Sequence, residues 1–203
     1  MKIRLFALVS LILAVTLFAG CSSTPQVTRV ASDKQIDLSG YWNDTDVRLV
    51  CESLINDCLA SPRIAQFQKT KGKLPVFMIS TFKNDSDEHI DTSIITNKME
   101  TVILNSGKAD FVANKDERAG IRDERNDQQG QASEATAKSI GNETGADFML
   151  IGSVKTIVDK AGKTAVRTYF VYAELINVET NTKIWKGENN EIKKVINTPS
   201  AKF

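Results

Sequence analysis

The sequence is poor in the residues that most catalytic and metal sites require. It holds one histidine, His89, and three cysteines among 203 residues. A single imidazole offers no zinc-ligand spacing, and no serine or cysteine stands in a pattern with it that marks a nucleophile. The 11 glycines are dispersed at predicted turns and helix ends instead of forming a phosphate-binding loop. These absences predict a protein that is not an enzyme and that needs neither a metal nor a cofactor.

Neither sign of charge dominates, since 26 Lys and Arg stand against 25 Asp and Glu. Nucleic-acid-binding proteins usually present a broad basic face, so this balance argues against a nucleic-acid partner. Beyond the N-terminus, no apolar run approaches the about 20 residues that a membrane-spanning helix needs. Any attachment to a membrane is therefore expected to come from the first residues of the chain.

The first twenty residues have the composition of an export signal. A positively charged start precedes an apolar run from Leu5 to Phe18, and two small residues then precede Cys21. The stretch LFAGCSS resembles the bacterial lipobox, although Phe18 stands where leucine is usual. The resemblance implies that residues 1–20 are a lipoprotein signal peptide and that Cys21 carries a lipid anchor. The alternative is an ordinary secretory signal followed by a chance cysteine.

Residues 21–38 are predicted to be the lipidated cysteine and a linker. The stretch SSTPQVTRVASDKQIDL has one proline and no periodic apolar pattern. A flexible chain of this length reaches roughly 20 to 25 Å. Residues 39–203 then remain as one domain with a sizeable core.

The domain is predicted to alternate helices with short apolar strands and to end in strands alone. A strand, a helix and a second strand in succession indicate a right-handed crossover between parallel strands, and the last three strands indicate an antiparallel meander. The predicted elements are a helix from Asn43 or Asp44 to about Cys58, a short helix 63–69, a strand 73–82, a helix 92–106, a strand 109–113, a solvated charged helix after 114, a small-residue helix 133–144, and strands 147–159, 164–178 and 183–196.

Cys51 and Cys58 are predicted to be unpaired core residues. They lie seven positions apart in the first predicted helix, which separates them by about 10 Å. A disulfide needs Cα atoms roughly 4.4 to 6.8 Å apart. Both cysteines also fall in the apolar stripe of that helix, together with Val50 and Leu54.

The stretch FKNDSDEHID, residues 82–91, gathers four carboxylates around His89. Its aspartates alternate as calcium ligands do, but the stretch lacks the glycine and the closing glutamate of an EF-hand loop. A hydrolase with two facing carboxylates is the enzymatic alternative. The simplest interpretation is a polar turn that leads into a helix capped by Asp91 or Thr92.

Seven segments together resemble the penicillin-binding protein activator (LpoB) family of bacterial lipoproteins. They occur in order and cover nearly everything after Leu38. They are DLSGYWNDTD, PRIAQF, FKNDSDEHIDT, LNSGKADFVA, DERAGIRDER, ETGADFMLIGS and NVETNTKIWKG.

The resemblance implies an α/β fold similar to the TolB N-terminal domain, with a mixed sheet, helices on both faces and a C-terminal antiparallel meander. It implies a non-catalytic outer-membrane lipoprotein whose domain, expected to be monomeric, faces the periplasm and activates a class A penicillin-binding protein. Ser22 is compatible with sorting to the outer membrane. The linker departs from the long proline-rich linker of the best-known enterobacterial member. The alternative is a structural lipoprotein of an envelope secretion complex, related to the curli-secretion lipoprotein.

Overall fold

The computed structural model describes residues 26–131, 138 and 143–198. Cys21 and most of the predicted helix 133–144 lie outside these residues. Within them are four helices and six strands. In chain order they are α1 (Asp44–Ala60), α2 (Pro62–Lys71), β1 (Val76–Asp85), α3 (Thr92–Ser106), β2 (Asp110–Phe111), α4 (Lys115–Gln131), β3 (Phe148–Ala161), β4 (Thr164–Asn177), β5 (Lys183–Asn189) and β6 (Lys193–Asn197).

The chain divides into two units between Lys34 and Gln35. In the first unit, residues 26–34 form only a turn, in which the Lys34 amide donates to the Ala31 carbonyl at 3.1 Å. The second unit contains every helix and strand described above, and it includes the last four residues of the predicted linker, 35–38. Among the described helices, none has the length and apolar composition that crossing a membrane requires.

The strands form one mixed sheet in the order β2-β1-β3-β4-β5. β1 pairs in parallel with both β2 and β3, whereas β3, β4 and β5 follow one another as antiparallel neighbours. The predicted parallel pair around a connecting helix is therefore present as β1, α3 and β2. The α/β class, the mixed sheet and the antiparallel C-terminal meander are confirmed.

The last predicted strand, 183–196, is two strands instead of one. β5 pairs with Val171–Ile176 of β4, and β6 pairs with Thr164–Thr168 further along the same edge. The break falls at the polar residues around Asn190. There the Asn189 side chain accepts from the Glu191 amide at 3.4 Å, and such bonds from Asn to nearby backbone favour a turn over a ladder.

One face of the sheet carries the core. α1 and α3 contact each other and pack on this face, α1 against β4 and β5 and α3 against β1 and β2. The predicted stripe of α1 is buried as expected, and Cys51 and Cys58 are free thiols within it. Fully buried partners on the strands are Phe77, Leu150, Val154, Tyr169, Val171 and Leu175.

The opposite face of the sheet is partly open. Met149, Ile151, Ser153, Tyr172 and Glu174 are half-buried there and line a groove of about 500 Å³. Besides α1 and α3, α2 also reaches the sheet, because the Phe67 ring packs on Phe148 of β3 with 4.9 Å between the ring centroids. The charged helix α4 has no buried residue, which confirms the prediction of a solvated helix.

Candidate functional site

The stretch around His89 connects β1 to α3 as a polar turn. The Asn84 side chain donates to the Glu88 carbonyl at 2.7 Å and accepts from the Ser86 amide at 3.1 Å. The Ser93 amide donates to Asp91 Oδ1 at 2.9 Å, so Asp91 is the N-cap of α3. The backbone is therefore satisfied by short-range bonds from Asn, Ser and Asp side chains, which confirms the predicted turn.

Two carboxylates of this turn are directed toward β4. Arg167 Nη1 lies 2.8 Å from Glu88 Oε1, and Arg167 Nη2 lies 2.9 Å from Asp87 Oδ2. The Thr156 hydroxyl donates to Asp87 Oδ1 at 2.6 Å. The Tyr169 hydroxyl also donates to Glu88 Oε1. One arginine thus holds two adjacent acidic residues against the long hairpin that β3 and β4 form.

Two members of this cluster, Arg167 and Glu88, are withdrawn from solvent, whereas the side chain of Asp87 at its edge is 48% exposed. The side chain of Arg167 is 10% exposed and that of Glu88 is 7% exposed. Burial and the hydrogen bond to Glu88 raise the pKa of Tyr169. Burial opposes the charge of Arg167, but Glu88 and Asp87 raise its pKa above the ordinary value. Arg167 therefore keeps its charge in this cluster, and Tyr169 is a neutral donor.

The cluster also fixes the chain that enters α1. The Trp42 amide donates to Glu88 Oε2 at 2.9 Å, and the Tyr169 hydroxyl lies 3.2 Å from the Gly40 carbonyl. The Arg167 guanidinium stacks on the Tyr41 ring at 4.8 Å. Residues 40–42 are consequently held to the sheet by both hydrogen bonds and ring contacts.

A second cationic residue, Lys194 of β6, binds the same entering segment. Its ammonium lies 2.6 Å from Asp46 Oδ2 and 3.0 Å from Asp37 Oδ1, and it donates to the Tyr41 carbonyl at 2.8 Å. Burial raises the pKa of Asp46, while the hydrogen bonds from Lys194 and the Asn43 amide act in the opposite direction. Asn43 and Asp46 also form the capping box of α1.

A cleft of about 610 Å³ opens where these segments meet the start of α3. His89 lines it, so the only imidazole lies on the wall of the cleft and is exposed. The other lining residues are Tyr41, Trp42, Asn43, Asp44, Val47, Asp87, Glu88, Ile90, Asp91 and Ile94. This cleft is the candidate functional site, and its size is in the range of typical ligand pockets, about 300–1,000 Å³.

The carboxylates predicted as alternative calcium ligands do not converge on one point. Asp87 binds Thr156 and Arg167, Asp91 caps α3, and Asp85 lies 4.0 Å from the Lys155 ammonium. In residues 26–131, 138 and 143–198, no group of three His, Cys, Asp or Glu side chains is arranged to hold a metal ion. The wall of the cleft is largely apolar, and four of its lining side chains are carboxylates.

Sequence reasoning missed Arg167, Tyr169 and Lys194, because their partners lie far away along the chain. One pattern in the sequence could have indicated Arg167 and Tyr169. Arg167 and Tyr169 occupy alternate positions of β4 with Val171, Ala173 and Leu175, all of which are buried. An arginine in register with buried apolar residues requires a buried carboxylate partner.

The chain was compared with models of known protein families and with curated protein sequences. A family model described as the peptidoglycan-synthase activator LpoB matches residues 46–191. No curated protein matches the chain in sequence.

Solved structures with similar coordinates include the LpoB C-terminal domain from Salmonella enterica, at 15% identity and a TM-score of 0.41, covering 75% of this chain and 99% of that one. The corresponding domain from Escherichia coli has 18% identity and a TM-score of 0.37 and covers 63% of this chain and 90% of that one. The NMR structure of E. coli LpoB has 14% identity and a TM-score of 0.43 and covers 89% and 85%, respectively.

The family assignment rests on the family model and not on these distant structures. The matched residues run from the first turn of α1 to just beyond β5 and make up well over half of the chain. The chain therefore belongs to the peptidoglycan-synthase activator LpoB family.

Proposed function

We propose that this protein is a lipid-anchored activator that binds a class A penicillin-binding protein and stimulates its glycan polymerisation and crosslinking. The observation that carries the proposal is the family match over residues 46–191. A regulator of this kind acts by binding, so it requires an accessible surface and no reactive group of its own. The polar cluster of this domain is consistent with that role, because Arg167, Glu88 and Tyr169 are engaged with one another inside the protein.

The proposed anchor is a lipid on Cys21, which places the domain on the periplasmic side of the outer membrane. Because the second unit begins at Gln35, 14 residues, Cys21 to Lys34, connect the proposed lipid to it, and a flexible chain of that length reaches about 20 Å. Fully extended, the same segment spans about 50 Å. We therefore propose that the synthase extends toward the outer membrane to meet the activator, instead of the activator crossing the periplasm.

The test is a polymerisation assay with the organism's own class A synthase and its lipid-linked precursor. The protein is supplied from Ser22 onward. The expected result is a several-fold higher polymerisation rate at a saturating concentration of the protein. Two controls accompany it: the protein without synthase, and the protein with a synthase that lacks its polymerase active-site residue, neither of which should form product. Unchanged polymerisation and crosslinking rates would contradict the proposal.

The oligomeric state separates this proposal from the alternative of a structural secretion component. We propose that the soluble chain is a monomer. Sedimentation velocity at micromolar concentrations should then give one species near the mass of a single chain. A discrete ring-sized species would contradict the monomer and would favour the assembly alternative.

A further inference from the structure

The cleft at the starts of α1 and α3 has an apolar wall that faces solvent. Ile94 is 57% exposed and Tyr41 is 58% exposed, although both are large and apolar. Trp42, Val47 and Ile90 continue the wall inward. The indole Nε1 of Trp42 is buried and has no hydrogen-bond partner among the described residues. An apolar wall of this kind gains free energy when a second apolar surface covers it.

The charged groups that line the cleft all have the same sign. Four carboxylates line it, and no lysine or arginine does. Arg167 compensates Asp87 and Glu88 from beneath. No ion pair with a lysine or arginine is seen for Asp44 or Asp91 in the described part of the chain; Asp91 accepts from the Ser93 amide and interacts electrostatically with the neighbouring His89. The side chains that line the cleft therefore carry an excess of negative charge next to exposed apolar groups.

The groove on the open sheet face lacks this one-sided charge. Lys83 lines it together with Asp85 and Glu174. Lys183 and Lys186 both bind Glu174, at less than 4 Å. Both carboxylates of this groove are paired with lysines, Asp85 with Lys155 and Glu174 with Lys183 and Lys186, so the groove presents charges of both signs.

We propose that the cleft binds an extended segment of the synthase that carries a lysine or arginine beside a large apolar side chain. The apolar side chain covers the wall formed by Trp42 and Ile94, and the cation compensates Asp44 and Asp91. This inference rests on the proposed function, since it takes the synthase as the protein that supplies the segment. Complementary charge selects the partner and speeds encounter, while burial of the apolar group supplies most of the affinity.

The first test removes the charge and keeps the helix caps. Asparagine caps helices about as well as aspartate, so the double variant Asp44→Asn, Asp91→Asn retains the local fold. The matched control is Asp116→Asn, Asp123→Asn, which removes two exposed carboxylates from α4. We expect the affinity for the synthase to fall at least tenfold in the cleft variant and to change less than twofold in the control.

The second test removes the apolar contact. Ile94→Asn changes the exposed wall residue, and Leu104→Asn makes the same type of change at a 48% exposed position of the same helix, outside the cleft. We expect at least a tenfold loss of synthase affinity for Ile94→Asn alone. Thermal unfolding of all four variants, followed by circular dichroism, verifies that each protein is folded at the temperature of the binding assay.

A peptide probe tests the chemistry without the synthase. Acetyl-Arg-Leu-Arg-Phe-amide and its acidic counterpart acetyl-Glu-Leu-Glu-Phe-amide are titrated into the ¹⁵N-labelled protein. The basic peptide should shift the Trp42 indole signal and the His89 and Ile94 amides in a saturable way, and the acidic peptide should not. Equal shifts with both peptides, shifts confined to other residues, or no shifts at all would contradict the proposal.

The two proposals fail in different ways. If the unchanged protein binds and stimulates the synthase but both cleft variants bind equally well, the proposed function stands and the cleft assignment is wrong. If the unchanged protein neither binds nor stimulates the synthase, the proposed function is wrong, and the assignment of the cleft to the synthase is wrong with it. A selective response to the basic peptide would then show only the preference of the cleft for cationic apolar segments.

Discussion

Arg167 Nη1 lies 2.8 Å from Glu88 Oε1, which joins the long C-terminal hairpin to the turn after β1. The same glutamate accepts from the Trp42 amide and from the Tyr169 hydroxyl. One buried charge pair therefore connects three segments that are distant in sequence. It also forms the base on which the walls of the cleft are built, because Glu88 and Trp42 both line that cleft.

Removing one partner of this pair should destabilise the domain strongly. Arg167→Ala leaves Glu88 buried without its cation, and breaking a buried, hydrogen-bonded pair costs about 3 kcal/mol or more. We expect the free energy of unfolding, measured by urea titration at neutral pH, to fall by about 3 kcal/mol. The matched control is Lys155→Ala, whose exposed pair with Asp85 has a distance of 4.0 Å. That variant should change stability by less than about 0.5 kcal/mol, and a similarly small effect for Arg167→Ala would show that the pair is not structurally important.

The interaction of Asp37 with the domain should weaken in acid. A hydrogen bond from Gln35, then those from Lys194 and Asn43, lower the pKa of Asp37 to about 2. Because the pKa of Asp37 is lower in the folded than in the unfolded state, Asp37 contributes to the stability of the fold above about pH 4. This contribution is lost as the pH falls toward 2. The side chain of Asp37 is 36% exposed, so solvent screens its interactions and we expect a contribution of at most about 1 kcal/mol. Unfolding free energies at pH 5 and pH 2.5 should differ less in Asp37→Asn than in the unchanged protein; an identical pH dependence would contradict this role.

Regularities within one element were predictable from the sequence, and contacts between distant elements were not. The apolar spacing of α1 predicts its buried stripe, and Pro62 correctly separates it from α2. The turn after β1 was also predictable, because its Asn, Ser and Asp side chains bond to the nearby backbone and Asp91 caps α3. By contrast, the pairs of Arg167 with Glu88 and of Lys194 with Asp37 join strands β4 and β6 to segments more than 75 residues earlier in the chain. Hydrophobic periodicity specifies which side of a strand is buried, but it contains no information on which polar residues meet there.

Gly152 is required by the close approach of β1 and β4 to β3. A Cβ atom at this position would lie 2.3 Å from the Phe82 ring and 2.5 Å from the Tyr172 carbonyl oxygen. The carbonyl belongs to the ladder and cannot move without disrupting β-sheet hydrogen bonds. We expect Gly152→Ala to lower the free energy of unfolding by about 2 kcal/mol. Gly130→Ala is the control, because nothing lies within 4 Å of a Cβ there; equal stability of the two variants would contradict the close approach.

The thiols of Cys51 and Cys58 should be unreactive in the folded protein. Burial raises the pKa of both to about 12, and the thiolate is the reactive form. In the protein from Ser22 onward, which lacks Cys21, we expect no labelling by a thiol reagent at pH 8 within minutes. Two thiols per chain should react at once in denaturant. Rapid labelling without denaturant would show that the core of α1 opens readily.

Lipidation of Cys21 is tested by cell fractionation and lipid labelling of the unchanged protein and of a Cys21 variant. Cys21→Ala removes the only thiol next to the predicted cleavage point, so no lipid can be attached there. The unchanged protein should be found in the outer-membrane fraction, and metabolic labelling with an alkyne fatty acid should mark it. The variant should lose the label and appear as a soluble periplasmic protein or as an uncleaved precursor. Cys51→Ala, which leaves the lipobox intact, is the control and should retain the label. Retention of the label by Cys21→Ala would contradict the lipobox interpretation, because neither buried thiol of the domain is accessible for acylation.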